Sequence, residues 1–276
     1  MSVELRPLAD GDAGWLAELH NRAFADYPVP AVLDASSLAF YMDETDVRPE
    51  LSFAAHVDGR PASFCLGAIR GRSASIRGEG TVPLLRRRGL GDRALMATLD
   101  ALGAAGARTV GLEVLDGNQA ARRLYERRGF EVRRRLLGHT LRRPPRLGLL
   151  DRRKYRLAEL DPDQALDRLD RWGWHDAPWQ LQPQSLAHLP ALAMGDQAVV
   201  IGRRRGRRFW LYALAVDPAA RGAGIGRTTL AALNAEWIAV PALVPEEWAP
   251  LHGFLRALGA EHDAFAQWEM TRPLGE

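Results

Sequence analysis

Two short stretches of this 276-residue chain have the residue types to hold a phosphate: "RRRGLG" at Arg86–Gly91 and "RGAGIG" at Arg221–Gly226. Before each comes a β-like run ending in a proline (Pro83, Pro218), and after each comes a helical pattern. Glycines lack a Cβ, so backbone amides there can approach a ligand closely. A helix N-terminus leaves unpaired N–H groups and the positive end of the helix dipole at one place. Arginine adds forked donors matched to phosphate oxygens. The spacing predicts a diphosphate seat at the first turn, running from Arg86, Arg87 and Arg88 to Gly89, Leu90 and Gly91. It is not a nucleotide P-loop, because the Gly-Lys-Ser/Thr is absent. Ala94 suits the third small position of a dinucleotide fingerprint, but the acid found downstream, Glu113, lies mid-strand.

A second group of reactive residues follows in "LEVLDGNQAARRLYERRGF", Leu112–Phe130. Strand alternation in "TVGLEVL" puts Val110, Leu112 and Val114 on one face and Gly111 and Glu113 on the other. A carboxylate in a central strand faces a cleft or pairs with an arginine. Tyr125 follows Ala121 by four residues, so it shares a helix face with a small side chain. Its hydroxyl either does chemistry or packs in the core. Cys65, the single cysteine, lies in the apolar run "ASFCLGAI" and reads as packing. The scattered histidines show no metal spacing.

The elements that position these residues can be read coarsely. A strand is expected over 3–7, then helices over 10–25 and 32–43. Strands follow near 51–57, 61–69 and 73–82, with "HVDGRPA" as a hairpin turn. A helix over 90–105 carries the stripe Leu95, Leu99, Leu102. A strand at 108–115, a helix at 118–128 and terminal strands over 130–142 complete the half. The second half repeats the order, with one strand fewer before its turn. Pro144-Pro145 and a charge run mark a linker. The expected division is 1–143, a linker over 144–152, and 153–276.

Hydrophobic residues make up 47% of the chain, which excludes a disordered protein. One cysteine excludes an internal disulfide and fits a reducing compartment. No apolar run reaches the roughly 20 residues of a membrane span, and the N-terminus lacks a signal-peptide pattern. These points indicate a soluble, cytoplasmic protein with no membrane partner. The net charge is only +3, and the arginine clusters after Arg86–Arg88 lack interleaved aromatics, so nucleic acid is not the favoured partner.

Taken together, "RRRGLG", "RGAGIG" and the Leu-Glu-Val … Asn … Ala … Leu-Tyr … Gly-Phe pattern resemble the GCN5-related N-acetyltransferase (GNAT) superfamily. The first half is similar to its ribosomal-protein N-terminal acetyltransferases. The resemblance implies an α/β (α+β) fold of two tandem lobes, each a mixed, mostly antiparallel sheet flanked by helices. It implies acetyl-CoA as co-substrate and no metal. The backbone of Gly80, Thr81 and Val82 would face the pantetheine, residues 86–91 the diphosphate, and Asn118 the cofactor near the pantetheine. By the same resemblance Tyr125 would be the general acid and Glu113 the base; Glu79, in the strand before the turn, is a rival base by its position. Phe24, Asp26 and Tyr27, in "NRAFADYPVP", would wall the acceptor site.

In the second copy Glu113 becomes Leu243, Asn118 becomes Trp248 and Tyr125 becomes Leu255, although Arg221, Gly224 and Gly226 persist. A catalytic first lobe is expected beside a degenerate second lobe that is silent toward CoA or holds it without turnover. The expected activity is acetyl transfer to a small amine or a peptide N-terminus; the alternative is a CoA-binding regulatory or scaffold protein. The sequence sets no oligomeric state.

Overall fold

The computed structural model describes residues 2–9, 12–28, 32–148 and 151–275, with the backbone alone at 152 and 153. Val29, Pro30, Leu149, Leu150 and the side chains of Arg152 and Arg153 lie outside the described part. The chain forms two compact units. The first comprises Met1–Val114, Asn118–Arg133 and Glu269–Glu276; the second comprises Leu115–Gly117 and Arg134–Trp268.

In chain order, the first half supplies β1 (Val3–Pro7), α1 (Ala13–Ala23), α2 (Ala35–Glu44), β2 (Phe53–Val57), β3 (Arg60–Arg70) and β4 (Ser73–Thr81). Then come α3 (Leu90–Ala104), β5 (Thr109–Leu115), α4 (Gln119–Arg127) and β6 (Glu131–Leu141). The sheet of the first unit runs β1-β2-β3-β4-β5. Its pairs are antiparallel except β4–β5, which is parallel and joined through α3. The expected stripe of α3 is the buried one: Leu95, Leu99 and Leu102 are almost fully enclosed. Each contributes about 1.5–3 kcal/mol by leaving water, and together they press α3 onto the sheet.

Two irregularities shape the site. The β4–β5 ladder covers only Ser73–Ile76 against Thr109–Leu112, after which the strands diverge. At that point β4 also bulges. Ile76 pairs with Gly67 and Gly78 with Leu66, leaving Arg77 as the extra residue.

The second half supplies α5 (Asp151–Lys154), β7 (Ala158–Leu160), α6 (Pro162–Arg171), α7 (Pro183–Leu186), β8 (Ala191–Met194), β9 (Ala198–Arg205) and β10 (Arg208–Val216). It continues with α8 (Ile225–Ala232), β11 (Trp237–Pro245), α9 (Ala249–Ala257) and β12 (Glu261–Pro273). Within the second unit the sheet runs β6-β11-β10-β9-β8-β7. Four strands precede its glycine turn, as in the first half, so the expectation of one strand fewer is corrected. The missed strand, β8, has only four residues, two of them alanine, and carries little β signal of its own.

The compact units cut the chain differently from the division at 143 and 153. β6 pairs antiparallel with β11 (Leu141 opposite Ile238, Thr140 opposite Ala239), so residues from Arg134 onward join the second unit. The first unit takes residues from Glu269 onward in exchange: the Leu274 amide donates to the Arg108 carbonyl at 2.8 Å.

Candidate active site

The turn after β4 has the backbone of an anion cradle. A 3-10 turn at Pro83–Leu85 leads to Arg86, and both Arg87 (φ 63°) and Gly89 (φ 74°) are left-handed. Alternating right- and left-handed residues point successive N–H groups into one concavity. Gly89 is the N-cap of α3, and no side chain caps the helix there. Arg87, Arg88 and Gly89 are exposed. Gly91 is needed for a different reason. A Cβ there would lie 2.7 Å from Glu79 Oε1 and 3.0 Å from Thr81 Oγ1. The residues present fit a diphosphate at this turn, and the divergence of β4 from β5 leaves a slot of the kind an extended arm needs.

The Arg86 side chain reaches back to the strand and helix before the turn. Its Nε donates to the Thr81 carbonyl at 3.1 Å, and one Nη donates to the Ala23 carbonyl at 2.8 Å. Both Nη atoms also reach Asp26, at 2.6 and 2.7 Å. Its guanidinium is thus engaged by the protein itself. Asp26 is held by the same bonds, and the Arg86 hydrogen bond lowers its pKa. The other expected wall residues stand together. Phe24 and Tyr27 meet edge to face at 5.0 Å, and Phe24 lies 3.1 Å from where a Gly80 Cβ would be. The Tyr27 hydroxyl is hydrogen-bonded to the Asn118 side chain, whose Oδ1 also caps α4 by accepting from the Ala121 amide at 3.2 Å. Among the backbone groups expected to face the pantetheine, the Thr81 carbonyl accepts from Arg86 and the Val82 amide donates to the Ala62 carbonyl.

The two candidate bases sit in different surroundings. Glu113 forms a buried ion pair with Arg77, Oε2 to Nη1 2.6 Å, with side chains 8% and 2% exposed. Arg77 in turn meets the Tyr41 hydroxyl of α2 at 3.4 Å, and that hydroxyl donates to the Arg77 carbonyl at 2.7 Å. Burial works against the Arg77 charge, but Glu113 and Tyr41 outweigh it and raise the pKa. Glu79 lies beyond the bulge, opposite Cys65 in the β3–β4 ladder and beside the head of α3. Its Oε2 is buried with no hydrogen-bond partner among the described residues. Burial pushes its pKa up to about 7, against the lowering effect of a hydrogen bond with Tyr125.

Tyr125, 7% exposed, is held against Phe130 edge to face at 5.8 Å. Burial first, and then the Glu79 carboxylate, keep its hydroxyl protonated. Asp92 in the first turn of α3 pairs with Arg128 at the end of α4, which fixes the helix of Tyr125 against the turn. The structure therefore brings Tyr125 to Glu79, while Glu113 is bound to Arg77.

Sequence reasoning passed over Arg77, Tyr41, Ser63 and the side chain of Thr81, whose Oγ1 meets Ser63 Oγ at 2.9 Å. The available signal was "SASIRGEGT", a central strand with Ser75, Arg77, Glu79 and Thr81 at alternate positions. Such a polar run inside a sheet needs partners.

Residues 16–130 match the model of the acetyltransferase (GNAT) family. The first half carries a GNAT acetyltransferase domain. A mycothiol acetyltransferase of Acidimicrobium ferrooxidans is 40% identical over 132 residues, 46% of this chain and 42% of that protein. A second, from Clavibacter michiganensis, is 36% identical over 123 residues, 44% of this chain and 40% of that protein. Each match spans less than half the length of the curated relative. A tandem GNAT protein from the clavulanic acid biosynthesis pathway aligns with a TM-score of 0.70, covering 100% of this chain and 99% of that one at 14% identity. At that identity the likeness is one of fold, and the fold is that of a tandem GNAT protein.

The repeat is visible residue by residue. Opposite pairs Ser63–Thr81 and Cys65–Glu79 become Ala198–Val216 and Val200–Leu214. The bulge recurs at Tyr212, between Leu211 and Ala213. Helix α9 lies in sequence 130 residues after α4 at both ends.

Proposed function

We propose that the first unit transfers an acetyl group from acetyl-CoA to a primary amine, with Glu79 as general base and Tyr125 as general acid. The observation that carries this reading is the buried Glu79 carboxylate beside Gly91, at the head of the helix that follows the arginine turn, with one oxygen unpartnered among the described residues and Tyr125 interacting with it. Bound acetyl-CoA would supply an activated thioester; the amides of 87–91 and the Arg87 and Arg88 side chains would hold its diphosphate.

An alkyl amine has a pKa of about 10 and arrives as ammonium. A carboxylate with a pKa near 7 is matched to removing that proton at neutral pH. Tyr125 holds a proton at its hydroxyl for the departing sulfur, and Glu79 returns one to Tyr125 through their mutual bond. Cys65 stays a thiol, its pKa raised by burial and then by Glu79. The expected base, Glu113, is instead engaged by the Arg77 guanidinium at 2.6 Å. The second unit has Leu214 and Leu255 at the two reactive positions, and we assign it no turnover.

The test is release of free thiol from acetyl-CoA over a panel of small amines and peptide N-termini. The names of the two relatives put a mycothiol-type acceptor first in that panel. Tyr125→Phe is expected to lose turnover while keeping acetyl-CoA affinity. Acetyl-CoA binding with no thiol release from any acceptor would replace this reading with a CoA-binding role without catalysis.

A further inference from the structure

Arg86 and its counterpart Arg221 begin the two glycine turns, and comparing them separates what the turn needs from what the site adds. Arg221 Nε donates to the Val216 carbonyl at 3.0 Å, and its Nη2 to the Trp172 carbonyl at 3.0 Å. Arg86 makes the same two bonds, to the carbonyl at the end of its strand and to the end of the preceding helix segment. That shared pair is scaffolding. Asp26 is the addition: it grips Arg86 with both oxygens, whereas among the described residues no carboxylate engages Arg221. The copy with Glu79 and Tyr125 has the extra clamp, and the copy without them lacks it.

The clamp adds little stability, since Arg86 and Asp26 are 41% and 54% exposed and such pairs are weak in water. What it does is geometric. Ala23 and Asp26, the two residues held by the Arg86 side chain, flank Phe24. Phe24 covers Gly80 and packs on Phe64 at 6.4 Å and on Tyr27. The backbone of Arg86 meanwhile opens the turn that leads into α3.

We infer that Arg86 and Asp26 are positioning residues that lock the aromatic acceptor wall of Phe24 and Tyr27 to the cofactor turn, so neither binds phosphate or amine directly. This rests on reading the first unit as an acetyltransferase. The turn and the wall then form one mechanical piece.

The experiment uses the full chain with Asp26→Asn, Arg86→Lys and the double variant. Two readouts are needed: amide hydrogen exchange and steady-state kinetics. Exchange of the Phe24 and Tyr27 amides, which donate to His20 and Phe24 carbonyls, should speed up about tenfold in all three variants. Acceptor KM should rise about tenfold in each single variant and no further in the double. In Asp26→Asn, which leaves the Arg86 bonds to Thr81 and Ala23 in place, acetyl-CoA affinity should stay within about twofold. Loss of acetyl-CoA affinity in Asp26→Asn would place Asp26 in the cofactor site and overturn the proposal. A raised KM in Asp26→Asn alone would make Asp26 an acceptor ligand. Unchanged exchange at 24–27 would end the proposal. If the parent protein releases no thiol with any acceptor, the catalytic reading fails, and the exchange data still decide the clamp.

Discussion

In the first sheet Glu79 faces Cys65 across a strand pair; in the second, Leu214 faces Val200 at the same place. The bulge residue is Arg77 in one and Tyr212 in the other, and the residue across the slot is Glu113 in one and Leu243 in the other. Where the first unit has an ion pair, the second has an apolar cluster of Ala177, Leu181 and Leu243 packed with Trp174, Tyr212 and Trp248. The heads of the helices differ in the same way. A Cβ on Gly91 would meet the oxygens of Glu79 and Thr81, whereas a Cβ on Gly226 would lie 3.2 Å from the Phe254 ring and 3.6 Å from Val216. Yet the turns keep one conformation: φ 63° and 74° at Arg87 and Gly89, φ 81° at both Gly222 and Gly224. The backbone of a strand–turn–helix unit is set by ladder, bulge and turn, so it survives when every reactive side chain beside it has been replaced.

The comparison can be broken most directly at Glu79. Glu79→Gln should lower kcat at least about a hundredfold. In the parent, the rate should fall as pH drops through about 7, because Glu79 must be ionised to act. The same variant should be no less stable than the parent. The folded-state pKa is raised above 4.5, so the native carboxyl binds more protons than the unfolded one between about 4.5 and 7. Stability from this group is therefore present at low pH and lost as pH rises through 7, and glutamine removes that loss. A Glu79→Gln protein with full turnover would erase the distinction between the two slots.

Glu113→Gln should behave oppositely. It strands a buried guanidinium, at a cost of about 3–5 kcal/mol, and calorimetry should show a melting temperature lower by roughly 10 °C. An unchanged melting temperature together with lost turnover would return the role of base to Glu113. Next in size is occupancy. Titration calorimetry should find one acetyl-CoA per chain, since the second slot is lined by the apolar side chains of Leu214, Trp248 and Leu255; two equivalent sites would end the contrast.

The smallest effect concerns Arg87. Among the described non-glycine residues with positive φ, it alone is neither Asp nor Asn. Side chains in that region cost on the order of 1 kcal/mol, and the second turn avoids the cost with Gly222. Arg87→Gly should weaken acetyl-CoA binding about three- to tenfold with stability held or raised by at most about 1 kcal/mol. Equal affinity would show that the turn needs no arginine there.

Much of this was legible in the chain. The turn, the α3 stripe, the repeat and the tyrosine helix all announce themselves through short-range spacing. The choice between Glu113 and Glu79 did not. Simple alternation puts Arg77 and Glu79 on one face of β4, and only the bulge at Arg77 parts them, turning Arg77 to Tyr41 and Glu113 and leaving Glu79 to Tyr125. A bulge is a property of the strand pair, so one strand's sequence does not reveal it. The tie between Asp26 and Arg86 was hidden for a similar reason: the two lie 60 residues apart. The exchange of β6 for the end of β12 depends on pairings between still more distant segments.

That exchange has a consequence for biogenesis. Residues from Glu269 onward belong to the unit built mainly by the first 133. A ribosome must therefore translate the whole second unit before the first unit can receive residues 269–276. Glu79 and Tyr125 would emerge early and wait, incompletely housed, so an amino-terminal fragment ending near residue 143 should be a poor surrogate for the full chain.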